Sequence, residues 1–367
     1  MSKLEQGQRG ISLAVRYKII SEYVKLPYVF VNNFFSEANK KRTWRRAASD
    51  SLLRFLCTRP SWDIHIVAYM LGSTAPVYPR FAQKNKLDVL TDKLDDGTIL
   101  HWVGPRRYDR VVLYFHGGGY CLPLLAESHL AFLHSLQREL EKSTDGVGFV
   151  ALDYSLTPNF QYPTQLREAN AALVHLLEKG VDPANLLISG DSAGGALTFA
   201  LMLHVMHPLA SIPAPPVLSS PFLGAAVISP WVSFDSTLPS NFENDKKDCV
   251  PAKVYETMAF IASAGVSDAE RPYLEPSCAS DVWWDGLENI VGRVYASVGE
   301  VEVPRDGSVN FIDGPVRKRI QDTTLMMEAN GTHFDMLNAF AAGEGGESAH
   351  YWKLIQWLSE TFRQDSD

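Results

Sequence analysis

No disulfide framework, zinc-type spacing or membrane-length apolar run is present in this sequence. Its four cysteines, Cys57, Cys121, Cys249 and Cys278, are widely scattered and form no CxxC pair. They read as free buried thiols of a reducing compartment. Cys121 falls beside a glycine-rich motif, where it either lines a pocket or fills space as a small packing residue. No run of about 18 apolar residues occurs, which argues against a helical membrane span. The opening residues Met1-Ser2-Lys3-Leu4-Glu5-Gln6 lack the basic start and unbroken apolar stretch of a secretory signal, so the cytoplasm is the expected location. Positive charge is also scarce: the net charge is −8, which argues against nucleic acid as the main partner. The single basic cluster, residues 40–46, is read as a solvated helix face. Internal repeats are absent, and the only low-complexity piece is the short glycine-rich loop at 343–346.

What is present is ordinary globular material. The chain has 367 residues, 46% hydrophobic and 21% charged, enough for one large domain or two modest ones with a core that needs no disulfide or metal. Ile11, Val15, Ile19, Tyr23 and Leu26 recur at helical spacing. They predict a helix that packs on or covers the rest of the protein, with peripheral membrane contact as the lesser reading. From residue 86 onward strand-like and helix-like segments alternate. A hairpin is expected over 86–103 around the turn Asp95-Asp96-Gly97. Strands follow at 111–115, 148–154, 186–189, 223–229, 291–298 and 323–329. Helices are expected at 127–141, 163–178, 192–205, 313–320 and 349–363. Residues 232–290 break this rhythm; they read as an insertion lying over the sheet, with one helical piece near 252–261. Such alternation predicts a mostly parallel central sheet covered by helices on both faces.

The strongest chemical signal is Gly190-Asp191-Ser192-Ala193-Gly194, a G-x-S-x-G pentapeptide between a strand and a helix. A serine on so sharp a turn stands exposed at the sheet edge, and small neighbours let the backbone turn and a substrate approach. The following helix directs backbone N–H groups at the same point. Read alone, the pentapeptide also fits a glycine-rich turn with a capping serine, the lesser of the two readings. The second signal is His116-Gly117-Gly118-Gly119-Tyr120, directly after a strand. Its bare backbone can donate hydrogen bonds to an oxyanion, the expected donors being the N–H groups of Gly118, Gly119 and Ala193. A serine nucleophile needs a base, and the base needs an acid to orient it. His333, in Asn330-Gly331-Thr332-His333, follows the last strand and lies at the same sheet edge. The acid should follow strand 291–298, where Glu300, Glu302 and Asp306 compete and spacing does not choose.

Together these motifs resemble the hormone-sensitive-lipase-like branch of α/β-hydrolases, which includes carboxylesterases and steryl acetyl hydrolases. The resemblance covers residues 86–363 and includes Asp153-Tyr154-Ser155-Leu156-Thr157-Pro158, which is similar to a family segment carrying arginine where Ser155 stands. It implies the α/β-hydrolase fold, and it selects Glu302 as the acid, because Glu302, Pro304, Arg305 and Asp306 match the family's pattern. It also implies an N-terminal helical cap, here residues 1–80, over a catalytic domain of residues 81–367 with the cap insertion at 232–290.

The expected activity is hydrolysis of a small-molecule carboxylic ester by Ser192, His333 and Glu302, with no cofactor and no metal. His204 and His207 form an HxxH read as packing or surface. A short acyl group such as acetyl on an apolar alcohol follows only from the likeness to steryl acetyl hydrolases. Tyr28, Phe30, Phe34 and Phe35 in the cap suit an apolar ligand and equally suit packing. An amidase or arylformamidase, a lactonase or a C–C hydrolase would use the same triad, and a receptor on the same fold would have lost it. Oligomeric state is not legible.

Overall fold

The computed structural model describes residues 42–57 and 74–363, with isolated positions between 17 and 31. Most of residues 1–80, the stretch expected to form a cap, including Phe34 and Phe35, lies outside the described residues. Of the helix expected over 11–35, only scattered positions fall inside them.

The strands are β1 (Leu90–Lys93), β2 (Ile99–Trp102), β3 (Val111–Phe115), β4 (Gly148–Asp153), β5 (Leu186–Asp191), β6 (Gly224–Ile228), β7 (Val294–Gly299) and β8 (Thr323–Glu328). They form one sheet in the order β1-β2-β4-β3-β5-β6-β7-β8. The β1–β2 hairpin and the β2–β4 pair are antiparallel; the pairs from β4 through β8 are parallel. Register brings the C-terminal ends together: Phe115 lies opposite Gly190, Asp191 opposite Ile228, and Gly299 opposite Glu328. The loops after β3, β5, β7 and β8 therefore emerge along one edge, where ligands bind in open parallel sheets.

The inner strand β3 is apolar throughout because both its faces are covered. Along β3, Val111, Leu113 and Phe115 join one core, while Val112 and Tyr114 join the other. On one face pack α2 (Thr74–Lys84), α3 (Ala131–Leu140), α8 (Asp335–Ala341) and α9 (Ala349–Arg363). On the other pack α4 (Thr164–Glu178), α5 (Ala193–Met206) and α7 (Arg305–Phe311). Helix α5 has no polar stripe, and its residues 193–204 are all buried, as expected of a helix enclosed on every side. The remaining long helices among the described residues are α1 (Trp44–Cys57) and α6 (Ala252–Ala262), the latter within residues 232–290. Helix α2 runs across the 80/81 boundary drawn from sequence. It is fastened to the sheet by Tyr78, whose hydroxyl lies 2.7 Å from Trp102 O and accepts from Leu90 N–H at 2.8 Å.

The basic cluster corrects the sequence reading in part. Arg45 is exposed, but Arg42 and Arg46 are not a solvated face. Arg42 pairs with Asp50 at 2.6 Å and Asp335 at 2.9 Å, and Arg46 pairs with Asp335 at 2.8 Å. These guanidinium groups are almost fully buried between α1 and α8. Charges are found there because each has a carboxylate partner.

Candidate active site

Ser192 sits between β5 and α5 with φ 51° and ψ −121°. This is a conformation that costs a non-glycine residue about 1–3 kcal/mol and persists only where the surroundings enforce it. Two backbone bonds do so: Ser192 N–H donates to Ile228 O, and Trp231 N–H donates to Ser192 O, both at 2.9 Å. Close approach dictates the flanking glycines. A Cβ on Gly194 would stand 1.9 Å from Phe115 O, and one on Gly190 would stand 2.4 Å from the Gly194 carbonyl.

His333 and Glu302 meet this serine from two other loops. His333 Nε2 lies 2.8 Å from Ser192 Oγ, and Nδ1 lies 3.0 Å from Glu302 Oε2. A carboxylate only accepts, so Nδ1 carries the proton and donates, leaving Nε2 to accept from the serine hydroxyl. All three groups are buried, Glu302 completely. Burial disfavours the charged imidazole, but the hydrogen bond and charge of Glu302, with Asp248 and Asp191 beyond, raise the His333 pKa above 6.5. Burial in turn raises Glu302 above the ordinary glutamate value against the pull of His333.

The competing carboxylates are engaged elsewhere. Exposed Glu300 accepts from Asn330 N–H at 2.7 Å. Asp306 accepts from Ser240 N–H at 2.9 Å and pairs with Arg305 at 2.8 Å.

The glycine loop is tied to the serine turn through Asp191. Its Oδ1 accepts from Tyr114 Oη–H at 2.5 Å and from Gly117 N–H at 2.8 Å. Leu125 N–H donates to His129 Nδ1, which leaves Nε2–H of His129 to face Asp191 Oδ2 at 3.4 Å. Burial raises the Asp191 pKa, but His129, Tyr114 and Gly117 outweigh it and hold the carboxyl below its ordinary value. Gly117 N–H is thus occupied. The N–H groups of Gly118, Gly119 and Ala193 donate to no other described residue. Gly118 and Gly119 have φ 113° and 60°, left-handed values that favour glycine. His116 stacks on Tyr154 at 4.0 Å and is kept neutral by burial, its pKa lowered to about 4; it supports the loop and does not reach the triad.

Sequence reasoning missed three residues around this site. Tyr255 of α6 packs edge-on to His333, with ring centroids 5.4 Å apart. Met258 of the same helix lies over Gly119, where a Cβ would come 2.2 Å from its sulfur. Asp248 is buried and accepts the His333 N–H at 2.9 Å. Ser155 does not leave its segment loose, since its hydroxyl and N–H both bond Glu168. Cys121 is a packing residue against Thr157. His204 and His207 bond the backbone of Pro213 and Trp283. A surface depression at the opposite sheet edge, around Glu288, Arg319 and Asp322, shares no residue with this constellation.

Comparison with known proteins bears on this geometry. Residues 112–333 match the alpha/beta hydrolase fold family. The chain belongs to that family. It is 34% identical over 131 residues to an acetyl-hydrolase of Streptomyces hygroscopicus, covering 35% of this chain and 39% of that protein. It is 38% identical over 104 residues to arylacetamide deacetylase-like 2 of Homo sapiens, covering 27% and 25%. The chain thus spans well under half the length of the curated relatives it matches. Among solved structures, an esterase from the bacterial hormone-sensitive lipase family superposes with a TM-score of 0.65 at 22% identity, covering 88% of this chain and 98% of that one. That likeness shows a common fold, in agreement with the hormone-sensitive-lipase-like resemblance of the motifs.

Proposed function

We propose that the protein is a serine carboxylic-ester hydrolase acting through an acyl-enzyme. His333 Nε2 takes the proton of Ser192 Oγ as the oxygen attacks the ester carbonyl. The N–H groups of Gly118, Gly119 and Ala193 receive the oxyanion, and loss of one such donor costs about 3–4 kcal/mol at the transition state. The imidazolium then protonates the departing alcohol, and water, deprotonated by the same imidazole, releases the acid and restores Ser192. Glu302 fixes the tautomer and offsets the positive charge on the ring. The observation that carries this reading is the continuous buried line Glu302–His333–Ser192, with contacts of 3.0 and 2.8 Å.

The preferred substrate in this reading is a short-acyl, acetyl-like ester of an apolar alcohol. The name of the acetyl-hydrolase relative supports the acyl part. The alcohol part rests on the likeness to steryl acetyl hydrolases, and the apolar rings of Tyr255 beside His333 and Trp231 beside Tyr255 are in keeping with it. Residues 1–80 and 232–290 are proposed as the cap that closes over it. A series of p-nitrophenyl esters from acetate to decanoate tests this: kcat/KM should be highest at the shortest acyl groups, and a maximum at long chains would overturn the acetyl preference. The arylacetamide deacetylase name favours a second reading, amide hydrolysis by the same groups. Comparing an ester and an anilide of one acyl group separates the two.

A further inference from the structure

We propose that Asp248 is a positioning residue that sets the two catalytic loops in register, an inference that rests on the hydrolase reading above. Asp248 lies in the insertion, ahead of α6, and its side chain is buried. Its Oδ1 accepts from Cys249 N–H at 2.7 Å and from His333 N–H at 2.9 Å. Its Oδ2 accepts from Val303 N–H at 2.7 Å. Val303 immediately follows Glu302, so one carboxylate grips the backbone of the base and the backbone beside the acid. Both oxygens act only as acceptors, an arrangement that favours the ionised carboxylate, although burial outweighs these bonds and the charge of His333 and pushes the pKa of Asp248 up.

The surrounding bonds show that this grip is directed. Asn244 Nδ2–H donates to Glu302 O at 2.9 Å, from the same insertion. Arg54 of α1 donates to Asp248 O at 2.6 Å. The insertion also carries Tyr255 and Met258 against His333 and Gly119. The element that walls the substrate therefore also fixes the spacing of acid and base. Spacing matters because a displacement of about 1 Å in a reacting geometry can cost 10²-fold in rate.

The charged and titratable groups facing His333 are Glu302 from the loop after β7, Asp191 from the end of β5, and Asp248, Cys249 and Tyr255 from the insertion. Burial pushes Cys249 and Tyr255 up and keeps both neutral. Asp248 therefore has two separable effects, placing the loops and favouring the protonated imidazole.

Asp248→Asn keeps the shape, removes the charge and turns a donor toward one of the three N–H groups. Asp248→Glu keeps the charge and lengthens the arm. With p-nitrophenyl acetate, kcat per active site should fall by about tenfold or more in both variants while KM changes little. The acid limb of kcat/KM should move to lower pH in Asp248→Asn and stay near the parent value in Asp248→Glu. Active sites are counted with a fluorophosphonate. If each variant merely contains fewer labelled sites, with parental kcat per site and parental pH limb, the role is only structural and the proposal fails. Hydrogen exchange of the parent tests the same point without a variant: the Val303 and His333 amides should exchange slowly, and open-loop rates at either would overturn it. A parent that neither turns over the ester nor reacts with the probe would instead refute the hydrolase reading.

Discussion

Replacing Glu302 by glutamine is the most informative single perturbation of the triad. The side chain keeps its size in a site that is fully enclosed, so the effect is electrostatic. In the parent, Glu302 Oε2 accepts from His333 Nδ1–H at 3.0 Å. When Nε2 takes the serine proton, a full positive charge faces that carboxylate. With about 4 Å between the centres of charge and an effective dielectric of about 20, the attraction is about 4 kcal/mol, equivalent to about 10³ in rate. Glutamine removes this term. It also presents an NH2 group in one of its two orientations, which forces the proton from Nδ1 to Nε2 and blocks the base. The two effects together predict a drop of about 10³–10⁴ in kcat for p-nitrophenyl acetate, in line with the loss seen when a triad carboxylate becomes an amide. Glu300→Gln and Asp306→Asn serve as controls and should stay within about threefold of the parent, since their carboxylates bond Asn330 and Ser240 outside the triad. A Glu302→Gln protein that folds normally and retains more than about a tenth of the parental kcat would refute this assignment of the acid.

Three further outcomes are expected. Gly194→Ala drives a methyl group to 1.9 Å from Phe115 O, which is backbone and has no rotamer to yield; the soluble yield or melting temperature should drop sharply, and an unchanged melting curve would contradict the packing of the serine turn. The base must be neutral to accept a proton, and its pKa lies above 6.5, so kcat/KM should rise with pH through a limb above that value; a limb below it would show that Glu302, Asp248 and Asp191 do not act on the ring as described. Arg42→Met leaves Arg46 as the one cation paired with Asp50 and Asp335 among the described residues and should cost about 3 kcal/mol, the low end for breaking a buried ion pair; thermal unfolding checks it, and an unshifted midpoint would contradict it.

The central sheet was legible because its strands are continuous apolar runs between turn signals, as in Val111–Phe115, and because the alternation with helices leaves few topologies. The tight Ser192 turn and the glycine loop were legible because their residues are contiguous: close backbone approach imposes small residues there, as the contact between Gly194 and Phe115 shows. The proposed acid was narrowed by spacing to three carboxylates and selected by resemblance, since only the folded loop distinguishes the buried Glu302 from the exposed Glu300. Charges whose partners are remote were misread or missed. Arg42 and Arg46 read as solvated because Asp335, which closes over them beside the nearby Asp50, lies nearly 300 residues away in the chain. Asp248 was hidden in the run Asp245-Lys246-Lys247-Asp248, since nothing local marks its bonds to Val303 and His333. Helix α8 was missed because it is a seven-residue helix with little periodicity.

The reactivity of one hydroxyl is the most direct test. Treating the native protein with a fluorophosphonate and mapping the adduct by peptide mass spectrometry should give a single modification on Ser192, lost in Ser192→Ala and strongly slowed in His333→Ala. A folded parent whose Ser192 stays unmodified, or one that reacts equally fast without His333, would contradict the proposed activation of Ser192 by His333.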